Sequence, residues 1–138
     1  MSSASSRSAE GVRAVPECLV VDDSRVVRKA ARRMLEAQGF AVREAEDGAE
    51  AVAACRAALP DLVLLDWNMP VMDGLSCLRA LRAEWGAAEP LVMLCTTEAA
   101  MERIVVALEA GAQEYIMKPF DEAILADKLA ALGLGAGA

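Results

Sequence analysis

The chain has 138 residues, a formal net charge of -7, and 56% hydrophobic and 25% charged residues, which fit one globular domain. The acidic balance argues against free-standing nucleic-acid binding, because proteins hold phosphate backbones with clustered lysine and arginine, so a DNA-reading role would need another chain. Histidine is absent, which excludes Ser-His-Asp catalysis and histidine-ligated zinc and means that any phosphohistidine must belong to another protein.

The sequence contains neither a membrane-targeting segment nor a paired-cysteine motif. No apolar run approaches the roughly 18 residues of a membrane span, and the N-terminus lacks a signal-peptide pattern, so we expect a cytoplasmic protein without membrane insertion. The cysteines form no Cys-x-x-Cys pair, and we expect them to be reduced packing residues. They are Cys18, Cys55, Cys77 and Cys95.

The chain divides by composition into three segments. Residues 1–16 are rich in serine, alanine and arginine without apolar periodicity, and they are predicted to be a disordered leader. Residues 17–132 alternate short apolar runs with segments of helical period, which predicts one folded domain of βαβ units with a parallel sheet. Residues 133–138 are rich in glycine and alanine and are predicted to be a flexible tail.

The first predicted elements lead from the N-terminal strand to the centre of the sheet. A strand at 18–22 precedes a helix at 24–38, in which apolar residues recur at helical spacing. A second strand at 40–45 leads through a turn and cap signal into a helix at 49–58. The third strand, at 62–65, is apolar throughout, which indicates burial on both faces in the middle of a parallel sheet.

The remaining elements complete five strand–helix repeats. The last two strands are predicted at 91–95 and 115–117. The last three helices are predicted to begin at Gly74, to cover 98–110, and to run from a capping Asp121 to about residue 132.

Side chains with chemical potential stand where four of these strands end. Asp22 and Asp23 follow the first strand, Asp66 the third, Thr96 the fourth and Lys118 the fifth. Open α/β sheets bind ligands outside the carboxyl ends of their strands, so we expect these side chains to share one pocket. Each residue alone has an ordinary explanation as a helix cap or a surface group. Helix capping alone would not place these residue types at the ends of four strands in order along the chain.

Three carboxylates in one pocket require raised pKa values or a cation, because each pair repels by roughly a few kcal/mol at an effective dielectric near 20, and a divalent cation is the better answer. Only oxygen ligands are present, which favours a hard ion such as Mg²⁺. With the ion in place, Asp66 could attack phosphorus as a nucleophile. Lys118 would then supply countercharge, and Thr96 a hydroxyl, to the phosphoryl oxygens.

Five motifs at these strand ends occur together in one known family. They are Leu19-Val20-Val21-Asp22-Asp23-Ser24, Leu65-Asp66-Trp67-Asn68-Met69-Pro70, Met72-Asp73-Gly74, Thr96-Thr97-Glu98 and Lys118-Pro119-Phe120. Together they resemble the receiver domain of bacterial two-component response regulators, over nearly all of residues 18–132. The resemblance implies a flavodoxin-like, doubly wound α/β fold with five parallel strands in the order 2-1-3-4-5 and five helices. No output domain follows, so we expect a single-domain regulator of the chemotaxis type.

The resemblance implies a role for each residue of the predicted pocket. Asp66 is the phosphoacceptor, Thr96 and Lys118 bind the phosphoryl group, and the bond between Lys118 and Pro119 is cis. The metal ligands are Asp22, Asp23, Asp66 and the main-chain carbonyl of Asn68. The phosphodonor is a histidine kinase or a histidine phosphotransfer protein, and the domain catalyses only its own phosphorylation and dephosphorylation.

The resemblance also implies how phosphorylation changes the surface. Thr96 moves towards the phosphoryl group, Tyr115 turns inward, and the face formed by the fourth helix, fifth strand and fifth helix binds a protein target. Asn68 and Glu98 tune dephosphorylation and match chemotaxis-type members, which indicates rapid self-hydrolysis. Thr97 departs from the small residue that many members have, which bears on how freely the loop moves. We expect a monomer, with a phosphorylation-dependent dimer as the alternative.

Two surfaces are candidates for protein partners. Five basic residues of the first helix are expected to be mostly exposed and to dock an acidic patch on the phosphodonor. They are Arg25, Arg28, Lys29, Arg32 and Arg33. In the fourth helix, Ile104, Val105 and Val106 span about 200° of the helix, so part of this apolar surface must face solvent, where it could bind the target.

Four other functions stay in competition at this point. A phosphatase of the haloacid-dehalogenase kind would also use an aspartate nucleophile and Mg²⁺, but it expects a second aspartate where this chain has Asn68. A nucleotide or flavin module would need a glycine-rich sequence after the first strand. A pseudo-receiver without phosphorylation and a phosphate sink without an output target are the remaining alternatives.

Overall fold

The computed structural model describes residues 15–97 and 101–135 and has a five-stranded parallel sheet between two layers of helices. The strands are β1 (Glu17–Val21), β2 (Ala41–Ala45), β3 (Leu62–Asp66), β4 (Leu91–Thr96) and β5 (Glu114–Met117). The helices are α1 (Arg25–Ala37), α2 (Gly48–Ala57), α3 (Gly74–Trp85), α4 (Met101–Glu109) and α5 (Glu122–Ala131). The strand order β2-β1-β3-β4-β5 confirms the predicted flavodoxin-like, doubly wound α/β fold.

The sheet forms the middle layer because residues along its strands alternate between two apolar cores. Leu19 and Val21 of β1 belong to a core shared with α2, α3 and α4, whereas Cys18 and Val20 belong to a core shared with α1 and α5. Every residue of β3 is buried, as predicted for a strand that is covered on both faces.

Within the described residues, four helices begin at a side chain that accepts a hydrogen bond from the main chain of the first turn. These capping residues are Ser24, Asp47, Asp73 and Asp121. The predicted starts of the second, third and fifth helices are therefore right to within one residue. Because Ser24 caps α1, capping does not explain the neighbouring Asp23.

β1 ends one residue earlier than predicted, and part of the predicted fourth helix lies outside the described residues. β1 ends at Val21, so Asp22 lies just beyond the strand that was predicted to contain it, although its N–H still donates to the Ala45 carbonyl at 3.2 Å. The predicted start of the fourth helix at residue 98 lies outside the described residues. Residues 1–14 of the predicted leader and 136–138 of the predicted tail lie outside them too.

The four cysteines are free and buried, as predicted for packing residues. Burial raises the pKa of each thiol, which disfavours the reactive thiolate. None of the helices within the described residues has both the length and the apolar character that a membrane span requires.

Candidate functional site

The strand register brings the predicted site residues to one edge of the sheet. Val21 of β1 pairs with Leu65 of β3, Asp66 pairs with Cys95 of β4, and Thr96 pairs with Met117 of β5. β1, β3, β4 and β5 therefore all end at the same edge of the sheet. The residues at or just after these ends are the predicted ones, and they come from four separate parts of the chain.

Lys118 joins two of the three predicted carboxylates. Its Nζ atom lies 3.1 Å from Oδ2 of Asp22 and 3.1 Å from Oδ1 of Asp66. Asp22, Asp66 and Thr96 are each no more than 5% exposed, whereas Asp23 is exposed at the mouth of the pocket. The site is thus a buried acidic pair bridged by an ammonium group, with a third carboxylate facing solvent.

The three carboxylates are close enough to share a cation. One oxygen atom from each of Asp22, Asp23 and Asp66 lies within 4.8 Å of the other two. Neighbouring donors around an octahedral Mg²⁺ ion are about 3 Å apart and opposite donors about 4 Å, so the three carboxylates would draw closer together to bind one ion. An all-oxygen donor set open to water on the Asp23 side suits a hard divalent cation that keeps several waters.

The electrostatics of the pocket reflect crowding of negative charge. Burial, and then the charge of Asp22, raise the pKa of Asp66 to about 6, against the opposing hydrogen bond and charge of Lys118. Partial burial acts to lower the pKa of Lys118, but its hydrogen bonds to Asp66 and Asp22 raise it overall. Lys118 therefore stays protonated, and Asp66 is mainly ionised at neutral pH.

The main chain at each strand end is held in place by local hydrogen bonds. The N–H of Ser24 donates to Oδ1 of Asp22 at 2.9 Å, and the N–H of Gly74 donates to the carbonyl of Trp67 at 2.9 Å. A side chain at Gly74 would meet the main-chain oxygen of Asp66, so only glycine lets α3 begin this close to the end of β3. The Asp73-Gly74 motif is thereby explained by packing against Asp66.

The residues predicted to sense or tune phosphorylation have different surroundings. Thr96 is buried, and its carbonyl accepts the Lys118 N–H at 2.8 Å; the Lys118–Pro119 bond is cis, as predicted. Tyr115 is half-buried, and Asn68 is exposed two residues after Asp66. Glu98 lies outside the described residues.

The basic residues of α1 are arranged differently from the prediction that most would be exposed. Arg28 is only 9% exposed, while Lys29 and Arg32 are half-buried and Arg25 and Arg33 face solvent. The reason is Glu44, at the end of β2. Its carboxylate accepts hydrogen bonds from Arg28 at 3.0 Å, Lys29 at 2.9 Å and Arg32 at 2.7 Å.

Glu44 is the functional candidate that sequence reasoning missed. Burial acts to raise its pKa, but the hydrogen bonds from Lys29, Arg32 and Arg28 outweigh burial and bring the pKa to about 2. A signal was present, because residues 28, 29 and 32 share one face of a helix and β2 is adjacent to β1 in the predicted strand order. The sequence did not indicate which carboxylate that face would meet.

An apolar groove of about 440 Å³ lies between α1 and the loop after β5, next to the acidic pocket. Its lining includes Val26, Ala30, Met34, Thr97, Pro119 and Phe120. Lys118 also lines it, so the groove and the acidic pocket share one wall. Val26 is 79% exposed, which leaves an apolar rim beside the charged site.

The fourth helix exposes apolar surface, as predicted. Ile104 is buried, whereas the exposed fractions of Val105 and Val106 are 42% and 37%. Met101 and Leu108 extend this exposed apolar surface along α4. On another side of the helix, the Arg103 guanidinium lies 5.3 Å from the centre of the Trp67 ring, which places α4 in contact with the residue that follows Asp66.

Comparison with known proteins identifies the same region of the chain. Residues 18–130 match the model of the response regulator receiver domain. The transcriptional regulatory protein CseB of Streptomyces avermitilis is 40% identical over 114 residues, which are 83% of this chain and 47% of that protein. The response regulator MprA of Mycolicibacterium vanbaalenii is 44% identical over 102 residues, 74% of this chain and 43% of that protein. The chain thus spans less than half the length of these curated relatives.

A solved structure matches over most of its own length. The chemotaxis protein CheY4 of Vibrio cholerae has a TM-score of 0.80 and 32% sequence identity, and the match covers 86% of this chain and 98% of that one.

Proposed function

The chain belongs to the response regulator receiver domain family, and from this premise we propose that Asp66 accepts a phosphoryl group from a phosphohistidine on a partner protein. One observation carries the proposal. The ammonium of Lys118 bridges Asp66 and Asp22, while Asp23 closes the third side of the same cluster. This set combines a nucleophile, a fixed countercharge and a donor set for a cation.

The proposed transfer follows from the arrangement of these groups. A carboxylate oxygen of Asp66 forms a bond to phosphorus as the bond from phosphorus to the donor imidazole nitrogen breaks, with its electron pair returning to that nitrogen. The products are an acyl phosphate on Asp66 and a free imidazole, which is neutral when its other nitrogen carries a proton. Lys118 is placed to bind a phosphoryl oxygen, and the Thr96 hydroxyl is the proposed second donor.

Asp22, Asp23 and Asp66, with the proposed main-chain carbonyl of Asn68, would hold Mg²⁺. The bound ion would screen the anionic phosphoryl group from the anionic nucleophile. Without such a cation, Lys118 is the positive group that contacts the buried pair, and it satisfies one oxygen of each carboxylate.

The proposed output is a change in a protein-binding surface. Thr96 is the proposed link from the phosphoryl group to the loop after β4, and Tyr115 is the proposed reporter on β5. The exposed apolar residues of α4 support a protein target on the neighbouring face. The relatives' names refer to transcriptional regulation and to chemotaxis, so the binding event, not the downstream pathway, is what we propose for this chain.

The proposed phosphodonor site lies beside the acidic pocket. The apolar groove between α1 and Pro119, with exposed Arg25 and Arg33 on the same helix, suits a partner with both apolar and acidic surface. Since Arg28, Lys29 and Arg32 bind Glu44, the apolar rim contributes more to this proposed contact than the sequence indicated.

Incubation with a small acyl phosphate and Mg²⁺, followed by intact-mass measurement, tests the proposal. The parent should gain one phosphoryl group, and Asp66→Asn should gain none. Asp73→Asn is the matched control: it removes a nearby aspartate that only caps α3, and asparagine caps well. A phosphoryl group retained in Asp66→Asn would overturn the assignment, and steady turnover of varied phosphoesters would favour the phosphatase alternative.

A further inference from the structure

Arg28 is the most deeply buried basic residue among the described residues, and its side chain donates hydrogen bonds to two different residues. Its Nε atom donates to Oε1 of Glu44 at 3.0 Å, and its Nη1 atom donates to the main-chain oxygen of Asp22 at 2.8 Å. A guanidinium that is only 9% exposed must be hydrogen-bonded to offset its lost hydration. These two bonds tie the start of α1 to the end of β2 and to the loop after β1.

Asp22 is held at each of its polar groups. Its N–H donates to Ala45, Oδ1 accepts from the N–H of Ser24, and Oδ2 accepts from Lys118. The Arg28 bond to the carbonyl completes this set and opposes rotation of the peptide unit between Asp22 and Asp23. The carboxylates of Asp22 and Asp23, two of the three in the predicted metal site, depend on the orientation of that peptide unit.

The cluster around Glu44 also has an excess of positive charge. Three cations, Arg28, Lys29 and Arg32, contact the Glu44 carboxylate, and Arg32 also pairs with Glu36, so one positive charge is not neutralised by these ion pairs. Arg28 is the member that reaches Asp22, and it brings this charge to the edge of the acidic pocket. Glu44 fixes the orientation of the planar Arg28 guanidinium, because one edge of the group binds Glu44 while another binds Asp22.

We propose that Arg28 is a positioning residue for the metal site, acting through the main chain of Asp22 and oriented by Glu44. The proposal rests on the proposed phosphoacceptor function of the same pocket. Arg28 makes no hydrogen bond to the carboxylate oxygens of Asp22, Asp23 or Asp66. Its effect on the metal site therefore passes through the Asp22–Asp23 peptide unit. Outer partners that orient metal ligands typically change metal affinity by about 10- to 100-fold when they are removed.

Arg32 provides a matched control. It binds the same Glu44 carboxylate, at 2.7 Å, and contacts Glu36 rather than Asp22. Arg28→Met and Arg32→Met therefore each remove one Glu44 partner and one charge from α1, but only Arg28→Met leaves the Asp22 carbonyl without its guanidinium. Arg28→Lys keeps the charge and can reach only one of the two partners at a time.

The test measures Mg²⁺ binding to each purified variant by titration calorimetry, together with the urea midpoint. Arg28→Met should bind Mg²⁺ about 10-fold or more weakly than the parent. Arg32→Met should stay within about twofold of the parent, and Arg28→Lys should lie between the two. The small acyl phosphate should then label Arg28→Met fully only at raised Mg²⁺, which a general loss of folding would not produce.

Equal Mg²⁺ affinity in the parent and Arg28→Met would overturn the inference, as would an equal loss in Arg28→Met and Arg32→Met. If Arg28→Met does not fold, Arg28→Lys decides: a weaker affinity than in Arg32→Met supports the positioning role, and an unchanged affinity rejects it. A parent that neither binds Mg²⁺ nor is labelled would instead refute the proposed function, so the two failures are distinguishable.

Discussion

The ammonium of Lys128 on α5 lies 4.2 Å from the centre of the Tyr115 ring on β5, and it also pairs with Glu114 at 3.1 Å. This cation–π contact holds the ring of the proposed reporter against α5. At a partly exposed site such a contact contributes about 0.5–1 kcal/mol. An inward turn of Tyr115 would have to give up this energy, so Lys128 favours the ring position against α5.

Substitution Lys128→Met should shift Tyr115 towards the inward position by about two- to fivefold in population, the equivalent of about 0.5–1 kcal/mol. Tyr115 is the only tyrosine in the chain, so ring-labelled tyrosine gives one set of NMR signals to follow. Lys128→Arg keeps a cation over the ring and should resemble the parent. Identical ring signals in the parent and Lys128→Met, with and without phosphodonor, would contradict the prediction.

Removing the negative charge of Asp66 should stabilise the metal-free protein. Asp66→Asn removes the cost of burying a charge and the repulsion from Asp22 but loses part of the Lys118 attraction, so we expect a net gain of about 1 kcal/mol in the free energy of unfolding. Urea denaturation in the presence of a chelator measures this change. Asp73→Asn in the same assay should show no comparable gain.

Magnesium should reverse the order of stability. A ligand at ten times its dissociation constant stabilises the folded state by about 1.4 kcal/mol, so the parent should gain about this amount and Asp66→Asn much less. Asp23→Asn should also lose most of the gain, because it removes an oxygen donor of the cluster. A gain of equal size in all three proteins would place the ion elsewhere.

Glu44 should make stability depend on acid pH. Its pKa is about 2 in the folded protein against an ordinary value of 4.5, so its contribution is complete above about pH 4.5 and is lost as the pH falls towards 2. Glu44→Gln should therefore cost at most about 3 kcal/mol at pH 7, less where solvent screens the partly exposed Lys29 and Arg32, and about half as much at pH 3. Urea midpoints at the two pH values check this. A cost that does not vary with pH would show that the ion pairs with α1 contribute little.

The loop after Asp66 contains a strained residue. Val71 has a φ of 67° and is 83% exposed, and the N–H of Met72 closes a tight turn on Pro70 at 2.7 Å. A β-branched residue is disfavoured in this left-handed region, whereas glycine adopts it freely.

Val71→Gly should therefore stabilise the fold by about 1 kcal/mol, the strain relieved being partly offset by the greater chain entropy of glycine. Val26→Gly is the control of opposite sign, because it places glycine in a helix and should cost a few tenths of a kcal/mol. Thermal unfolding of both variants beside the parent measures the difference. Destabilisation by Val71→Gly would mean that the turn does not strain the chain.

Much of the fold was predictable because its signals are local. The apolar run before Asp66, the alternation of strands with helices and the caps at Asp47, Asp73 and Asp121 each depend on residues close in sequence. The shared edge of the sheet also followed, since the carboxyl ends of parallel strands point the same way.

The surroundings of α1 were less predictable because they depend on contacts between distant segments. Helical spacing placed Arg28, Lys29 and Arg32 on one face, but only the packing of α1 against β2 brought Glu44 to them. The same holds for Lys128 and Tyr115, which lie on different elements and meet because α5 packs beside β5.

By itself, the sequence determined the order of the elements, the residues at the strand ends and the chemistry that those residue types permit, because periodicity and capping act over a few residues. Only the tertiary structure decided that Lys118 bridges Asp22 and Asp66, that Arg28 is buried against the Asp22 carbonyl, and that an apolar groove adjoins the pocket. The physical reason is that charge pairing and burial are settled by distances of a few ångströms between segments that lie tens of residues apart.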